Sequence, residues 1–392
     1  MYAPFLSKEL LEATSEYPVV TILGPRQSGK TTLVKTTFPD KTYRSLEAPD
    51  IRQRALEDPR SFLAELKGGA ILDEVQRAPQ LLSYIQGIVD NNSDTGQFIL
   101  TGSHQPMLHQ AVSQSLAGRT AILKLMPFSL NEIAVYNQDL KAFDLCCKGF
   151  FPALYHRNLS PGRFFSSYIQ TYVERDVRSL MNLKNTTNFQ SFLLLLAGRT
   201  GQLLNLANIS NDAGVSSTTV RSWIDVLKPS FMIIELPSYH VNIRKRVVRS
   251  PKIYFTDTGL LCYLLGINNS AQLQRDPLRG NIYENLLIME VLKTRLNKGK
   301  RPDLYFYRDS NGNEVDLLIA QGQSIQPVEI KSSSTFTPSF IKGISSLKKQ
   351  LGDRCKDGMV FYNGENEFSF MDTKIANPLM NPAILNTVEG SL

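Results

Sequence analysis

The chain has 392 residues, 42% of them hydrophobic and 20% charged, with a formal net charge of +7. That length exceeds one small domain, so two or three are expected, and the hydrophobic share argues against a disordered or fibrous chain. No charged-apolar-cleavage pattern opens the chain and no apolar run approaches the roughly 18 residues a membrane helix needs, so neither a signal peptide nor a span is expected.

Residues 5–16 read as a short helix before the first strand. Val19 to Leu33 then form the chain's organising stretch: an apolar β-branched run, a Gly-rich turn, and Gly-Lys-Thr. Gly24-Pro25-Arg26-Gln27-Ser28-Gly29-Lys30-Thr31 fits G-x-x-x-x-G-K-[ST] at every fixed position, and Thr32 continues it. The two glycines permit backbone angles and approaches that a Cβ blocks. Successive N–H groups wrap a phosphate chain, and the helix opening there adds its positive end. Lys30 is expected to reach the β- and γ-phosphates, and Thr31 to ligate Mg²⁺.

Thr42–Leu46 reads as a strand and Ile51–Lys67 as an amphipathic helix interrupted at Pro59. Gly69-Ala70-Ile71-Leu72-Asp73-Glu74 is a buried-type strand that delivers two carboxylates at its C-terminal end, the edge where ligands bind in α/β sheets. Asp73 suits the water-mediated hold on Mg²⁺, and Glu74 the orientation or deprotonation of an attacking water. Gln97–His104 is a third strand ending in polar residues; Ser103, with Thr101 second, is the candidate to touch the γ-phosphate or the water. Arg119, after Ala117-Gly118, is an arginine-finger candidate, in cis or across a subunit boundary.

The wording G-P-R-Q-S-G-K-T-T-L, I-L-D-E-V-Q, L-T-G-S and L-A-G-R resembles a prokaryotic family of AAA-type P-loop ATPases. Members of that family carry a C-terminal domain of the restriction-endonuclease-like, PD-(D/E)xK, type. The resemblance spans most of the chain and implies ATP as the nucleotide.

Further on, Phe164, Phe165, Tyr168, Ile169 and Tyr172 lie at helical spacing, and the pattern continues into Glu174-Arg175-Asp176, where Arg175 is a second finger candidate. Leu203–Ala213 and Ser216–Leu227 have a helix-turn-helix rhythm around Gly214. Strand-like Ile233–Leu236 and Lys252–Phe255 follow, so the region reads as winged-helix-like. Arg221 on the second helix, and Arg244, Lys245, Arg246, Arg249 and Lys252 before Tyr254, form a basic wing suited to DNA phosphate contacts. Packing alone is the competing use of such a region. Asp257 reads as a helix cap.

From Gly280 a long helix runs to about Leu296. Leu304–Arg308 and Glu314–Ile319 read as a hairpin with Asn311-Gly312 in its loop, and Pro327–Lys331 as a third strand. Asp316 on one strand and Glu329-x-Lys331 on the next have the spacing of a PD-(D/E)xK site, with Glu329 and Lys331 on one face. The carboxylates suit Mg²⁺ at a scissile phosphate, Lys331 suits the water or developing charge, and Glu284 on the preceding helix suits the same metal cluster. The Pro-Asp dipeptide of the motif's name is absent, since Val315 precedes Asp316.

The expected layout is an ATPase domain over 1–135, a helical and winged-helix-like domain over 136–270, and a nuclease-like α/β domain over 271–392. The cysteines Cys146, Cys147, Cys262 and Cys355 form no C-x-x-C pair, which argues against zinc or a disulfide framework and suits the cytoplasm. The basic pI of about 9.1 permits DNA as a partner. The expected function is a Mg²⁺-dependent, DNA-associated ATPase whose nucleotide state governs the C-terminal domain. The alternative is a nucleotide switch or scaffold that binds a protein partner, without DNA cleavage. Self-association is compatible with either.

Overall fold

The computed structural model describes residues 5–66, 68–92, 94–103, 112, 114–136, 141–173, 186–239 and 250–387. The chain divides into two compact units. The first comprises residues 1–127, 229–231 and 295–301; the second comprises 128–228, 232–294 and 302–392.

The first unit is built on a parallel sheet of β1 (Val19–Gly24), β2 (Tyr43–Ser45), β3 (Ala70–Asp73), β4 (Phe98–Ser103) and β5 (Thr120–Lys124) in the order β2-β3-β4-β1-β5. β1 sits inside, in parallel register with β4 and β5. Alternate residues of these strands serve opposite faces. Val19, Leu23, Leu72 and Leu100 pack with Leu81, Leu82 and Ile85, while Val20, Ile22, Ile71 and Ile99 pack with Leu6, Leu10, Leu33 and Val34. Both faces are therefore apolar, which is why these strands read as continuous hydrophobic runs rather than alternating ones. The covering helices are α1 (Leu6–Glu16), α2 (Lys30–Thr37) and α5 (Leu81–Asp90).

The expected helix over 51–67 is two helices, α3 (Pro49–Glu57) and α4 (Pro59–Ala64). Pro59 has no N–H to continue the first and its fixed φ starts the second; the Asp58 side chain caps α4 by accepting from Ser61 N at 3.0 Å.

In the second unit, α6 (Ala142–Lys148) and α7 (Pro161–Tyr168) precede three helices, α8 (Thr186–Ala197), α9 (Leu206–Ala213) and α10 (Ser217–Leu227). The aromatic stripe of α7 is core: Phe164, Phe165 and Tyr168 are buried, and their rings pack around Phe151. A π-helical turn, Ile169–Val173, follows directly; Glu174, Arg175 and Asp176 lie outside the described residues. The expected helix start at Leu203 is displaced to Leu206. Leu203 bridges to Lys252, Leu204 N donates to Pro251 O, and Asn205 caps the helix, accepting from Asn208 N. Extended pairing thus claims the residues that periodicity alone assigns to the helix.

The antiparallel pair β6 (Ile233–Leu236) and β7 (Lys252–Phe255) leads into α11 (Thr258–Leu264), capped by Asp257 through Leu260 N. After α12 (Arg279–Leu296) comes a mixed six-stranded sheet of β8 (Leu304–Arg308), β9 (Glu314–Gln321), β10 (Ser324–Lys331), β11 (Gly358–Tyr362), β12 (Phe368–Phe370) and β13 (Thr373–Ala376). Its order is β12-β13-β11-β10-β9-β8. The β8–β9 loop is tied by Asp309, whose Oδ1 accepts from Asn311 N and Asn313 N at 2.9 Å each. Among the described residues no helix is long and apolar enough to cross a membrane.

Candidate functional site

The first unit presents a phosphate-loop geometry where β1 meets α2. Gly24 ends the strand, and a Cβ there would lie 2.1 Å from Leu125 O, so only glycine fits. Gly29 (φ 97°) and Gln27 (φ 60°) take the left-handed backbone that turns the loop. Pro25 O accepts from Ser28 N at 3.4 Å across the turn that contains Arg26. Ser28 Oγ is buried without a hydrogen-bond partner, an orphaned polar atom that points to a polar ligand. Lys30 opens α2, is buried, and donates through Nζ to Gly24 O (2.9 Å) and Pro25 O (2.8 Å). Burial lowers its pKa to about 8, with Glu74 and Asp73 pulling the other way. Thr32 lies one residue beyond Thr31 on the same helix.

Asp73 at the end of β3 collects three hydroxyls. Thr31 Oγ1 donates to Oδ2 at 2.9 Å, Tyr43 OH donates to Oδ2 at 2.6 Å, and Thr101 donates to Oδ1. Thr31 and Asp73, the pair expected at Mg²⁺, are therefore neighbours, and their oxygen donors are of the kind Mg²⁺ takes. Glu74 follows with a left-handed backbone, φ 59°. Gln76 Nε2 links it to the end of β4, donating to Glu74 Oε2 and to Ser103 Oγ, the latter at 3.0 Å. Sequence reasoning passed over Tyr43 and Gln76; the signal for Gln76 was its place two residues after Glu74. Arg119 is elsewhere engaged: its Nε and Nη2 donate to the two oxygens of Asp90, and Nη1 to Ala117 O at 3.0 Å.

In the second unit, a cavity of about 1060 Å³ is lined by four carboxylates, Glu284, Glu314, Asp316 and Glu329, and by Lys252, Arg308 and Lys331. β9 and β10 bring Asp316 beside the Glu329-x-Lys331 segment. Asp316 Oδ2 accepts from Ile330 N at 2.8 Å and faces Lys331 Nζ at 3.5 Å, while Glu329 Oε1 accepts from Lys331 at 2.5 Å. Burial and the nearby Asp316 charge raise Glu329 to about 8 and Glu284 to about 7. Lys331 is raised: burial lowers it, and Asp316 and Glu329 outweigh that.

Glu284 is held differently. Its Oε1 accepts from Tyr254 OH and from Lys252 Nζ at 3.2 Å. Among the described residues no three His, Cys, Asp or Glu side chains are placed to hold a metal ion together, so the expected three-carboxylate cluster is not assembled by this geometry. Lys252 is also a correction. It does not belong to an exposed basic wing; it is buried and pairs with Glu284 and, at 2.6 Å, with Glu314. Arg221 is occupied by Asp225 (3.5 Å) and Glu235 (3.4 Å). Arg244, Lys245, Arg246 and Arg249 lie outside the described residues.

Residues 16–134 match the family described as AAA domain, residues 140–271 the domain of unknown function DUF8612, and residues 279–381 the domain of unknown function DUF4143. Residues 16–134, with their parallel sheet and phosphate loop, form an AAA-type domain. An uncharacterized protein of Mycobacterium tuberculosis is 32% identical over 374 residues, covering 94% of this chain and 82% of that protein, and one of Mycobacterium bovis matches to the same extent. The chain belongs to the family of these mycobacterial proteins. Among solved structures, the Walker-type ATPase of Pyrococcus abyssi is 16% identical over 66% of this chain and 94% of that one, with a TM-score of 0.43.

Proposed function

We propose that the protein is a Mg²⁺-dependent, DNA-associated ATPase whose nucleotide state governs a nuclease-like C-terminal domain, in the cytoplasm. The reading divides the chain into 1–135, 136–270 and 271–392. Its main support is the phosphate loop in contact with the carboxylate strand: Thr31 Oγ1 lies 2.9 Å from Asp73 Oδ2, beside the Glu74–Gln76–Ser103 chain. Gly24 to Thr32 form the ATP cradle, and Lys30 trades its two carbonyl partners for phosphate oxygens. Thr31 and Asp73 would hold the Mg²⁺, which would supply charge neutralisation at the transferring phosphoryl group. Glu74 orients and deprotonates the attacking water, and Gln76 keeps its carboxylate aligned with Ser103. Arg119 acts only across a subunit boundary, after leaving Asp90.

In the C-terminal domain, Asp316 and Glu329 would hold a divalent cation, and Lys331 would stabilise developing charge at a phosphodiester. Glu329 Oε2 is buried without a partner, which fits a cationic ligand there. The three helices and the β6–β7 pair suit a winged-helix module, whose DNA contacts would come from Arg221 and the 244–249 segment. One observation favours the second reading, a nucleotide switch that engages a protein and cuts nothing: Arg221 is already paired with Asp225 and Glu235.

The test is ATP hydrolysis by the full chain with Mg²⁺, with and without duplex and single-stranded DNA, beside K30A. Hydrolysis that rises with DNA and disappears in K30A is expected. Hydrolysis indifferent to DNA selects the protein switch, and no hydrolysis under any condition overturns the DNA-associated ATPase.

A further inference from the structure

The carboxylate cavity is walled by two different parts of the second unit. Asp316, Glu329 and Lys331 come from the mixed sheet. Lys252 and Tyr254 come from β7, the two-stranded pair, and reach the carboxylate of Glu284 on α12. Lys252 is 5% exposed, and its ammonium lies 2.6 Å from Glu314 Oε1 and 3.2 Å from Glu284 Oε1. The other oxygen of Glu284 faces Gly201, where a Cβ would approach it to 3.6 Å. Gly201 is itself pinned to β7 through its N–H to Ile253 O at 2.8 Å. Glu284 is thus gripped on one oxygen by β7 and bordered on the other by the segment paired to β7.

A separate observation points to a cationic ligand in the same cavity. Glu329 lines it and is 8% exposed, and its Oε2 is buried with no hydrogen-bond partner. Lys331 takes the other oxygen at 2.5 Å. A carboxylate oxygen kept from both water and donors is costly unless a cation meets it.

We propose that Lys252 is a built-in counter-cation that competes with a divalent metal ion for Glu284. The metal site formed with Asp316 and Glu329 is completed only when the ammonium leaves that carboxylate. The proposal rests on reading the cavity as a divalent-cation site. Its physical basis is that an ammonium and a divalent ion on the same buried carboxylate oxygen repel strongly in a poorly screened interior. Lys252 arrives from β7, whose partner strand β6 is tied to α10 by the pairing of Glu235 with Arg221 at 3.4 Å. It is a positioning and gating residue, not a group that touches substrate.

The experiment is a calorimetric titration of Mn²⁺ into the nucleotide-free full chain. K252Q is expected to bind at least about tenfold more tightly than the wild type, and K252R within about twofold of it, because the charge is what competes. E329Q in the K252Q background abolishes the gain and separates it from metal held at the phosphate loop. If K252Q binds equally or more weakly while D316N still lowers wild-type affinity, the lock is wrong and the cation-site reading stands. If D316N and E329Q leave Mn²⁺ binding unchanged, the cation-site reading fails and carries the lock with it. A measurement on the wild type covers the case of a K252Q that does not fold. Acetylation of Lys252 by acetic anhydride, with acetate as the leaving group, followed by mass spectrometry, is expected to be slow without metal and faster with saturating Mn²⁺; unchanged protection overturns the proposal.

Discussion

Lys30 in the phosphate loop and Lys252 in the carboxylate cavity are equally buried, each 5% exposed, yet they face opposite surroundings. Lys30 donates to two backbone carbonyls at 2.9 and 2.8 Å, and burial pulls its pKa down to about 8. Lys252 faces Glu284, Asp316 and Glu314, which outweigh burial and raise it. Carbonyl dipoles satisfy an ammonium without cancelling its charge, so Lys30 keeps an attraction for anions. Carboxylates cancel the charge, so Lys252 is spent on them. What a buried lysine is for depends on whether its partners leave the charge unbalanced.

The largest expected effect calibrates the neutralised case. Lys293, 1% exposed, pairs with Glu290 at 2.8 Å, donates to Phe128 O at 2.8 Å and sits over the Phe150 ring. K293M leaves Glu290 buried without its cation, and should cost about 3–5 kcal/mol in urea unfolding. A loss under about 1 kcal/mol would mean that carboxylates do not lock lysines here, and the comparison would collapse.

For the unbalanced case, K30A should lower ATP hydrolysis by about 10²–10³-fold, read in a steady-state phosphate-release assay, because a preorganised cation at the transferring group is lost. A near-normal rate in K30A would remove Lys30 from the chemistry. Next in size, G24A forces a Cβ to 2.1 Å from Leu125 O. It should cost about 1–3 kcal/mol of stability and weaken nucleotide binding together, since loop and strand must separate; a thermal melt and a nucleotide titration check both.

The pH dependence sharpens the contrast. The charged form of Lys30 is the one that attracts phosphate. It is fully present well below about 8 and is lost as pH rises through that value. Nucleotide affinity should therefore fall above pH 8, by up to about tenfold per pH unit, because binding must then take up a proton. K30R should flatten the profile, since guanidinium stays charged. The smallest effect is expected from R119A. Its ion pair with Asp90 is solvent-exposed, so hydrolysis by the isolated chain should stay within about twofold. A fall near 10³-fold would instead make Arg119 an arginine finger.

The phosphate loop and the carboxylate strand were legible because each is a local pattern: the chemistry fixes residue types at fixed spacing along a few consecutive positions. The β8–β9 hairpin was legible through period-two alternation and its Asn311-Gly312 loop, and the pairing of β9 with β10 that brings Asp316 beside Glu329 and Lys331 was legible through the spacing of those three residues. Lys252 was not. In sequence it ends a basic run, and only pairing of β7 with β6 and the approach of Glu284, 32 residues later, turn it inward. Arg119 likewise reads as a finger until Asp90, 29 residues earlier, is placed beside it. Composition describes a side chain's charge; the fold alone chooses its partner.

The strand order of the first unit sets a schedule for synthesis. β1, which carries the phosphate loop, takes its hydrogen-bonded neighbours from far downstream: Val19 pairs with Phe98 on one side and with Thr120 on the other. Neither neighbour of β1 follows it directly in the chain, and distant pairing must await closure of the intervening chain. On the ribosome, the phosphate loop therefore stays without its full scaffold until the chain through Lys124 has cleared the exit tunnel. A nascent chain shorter than that carries the motif in its text without the two strands that hold it in shape.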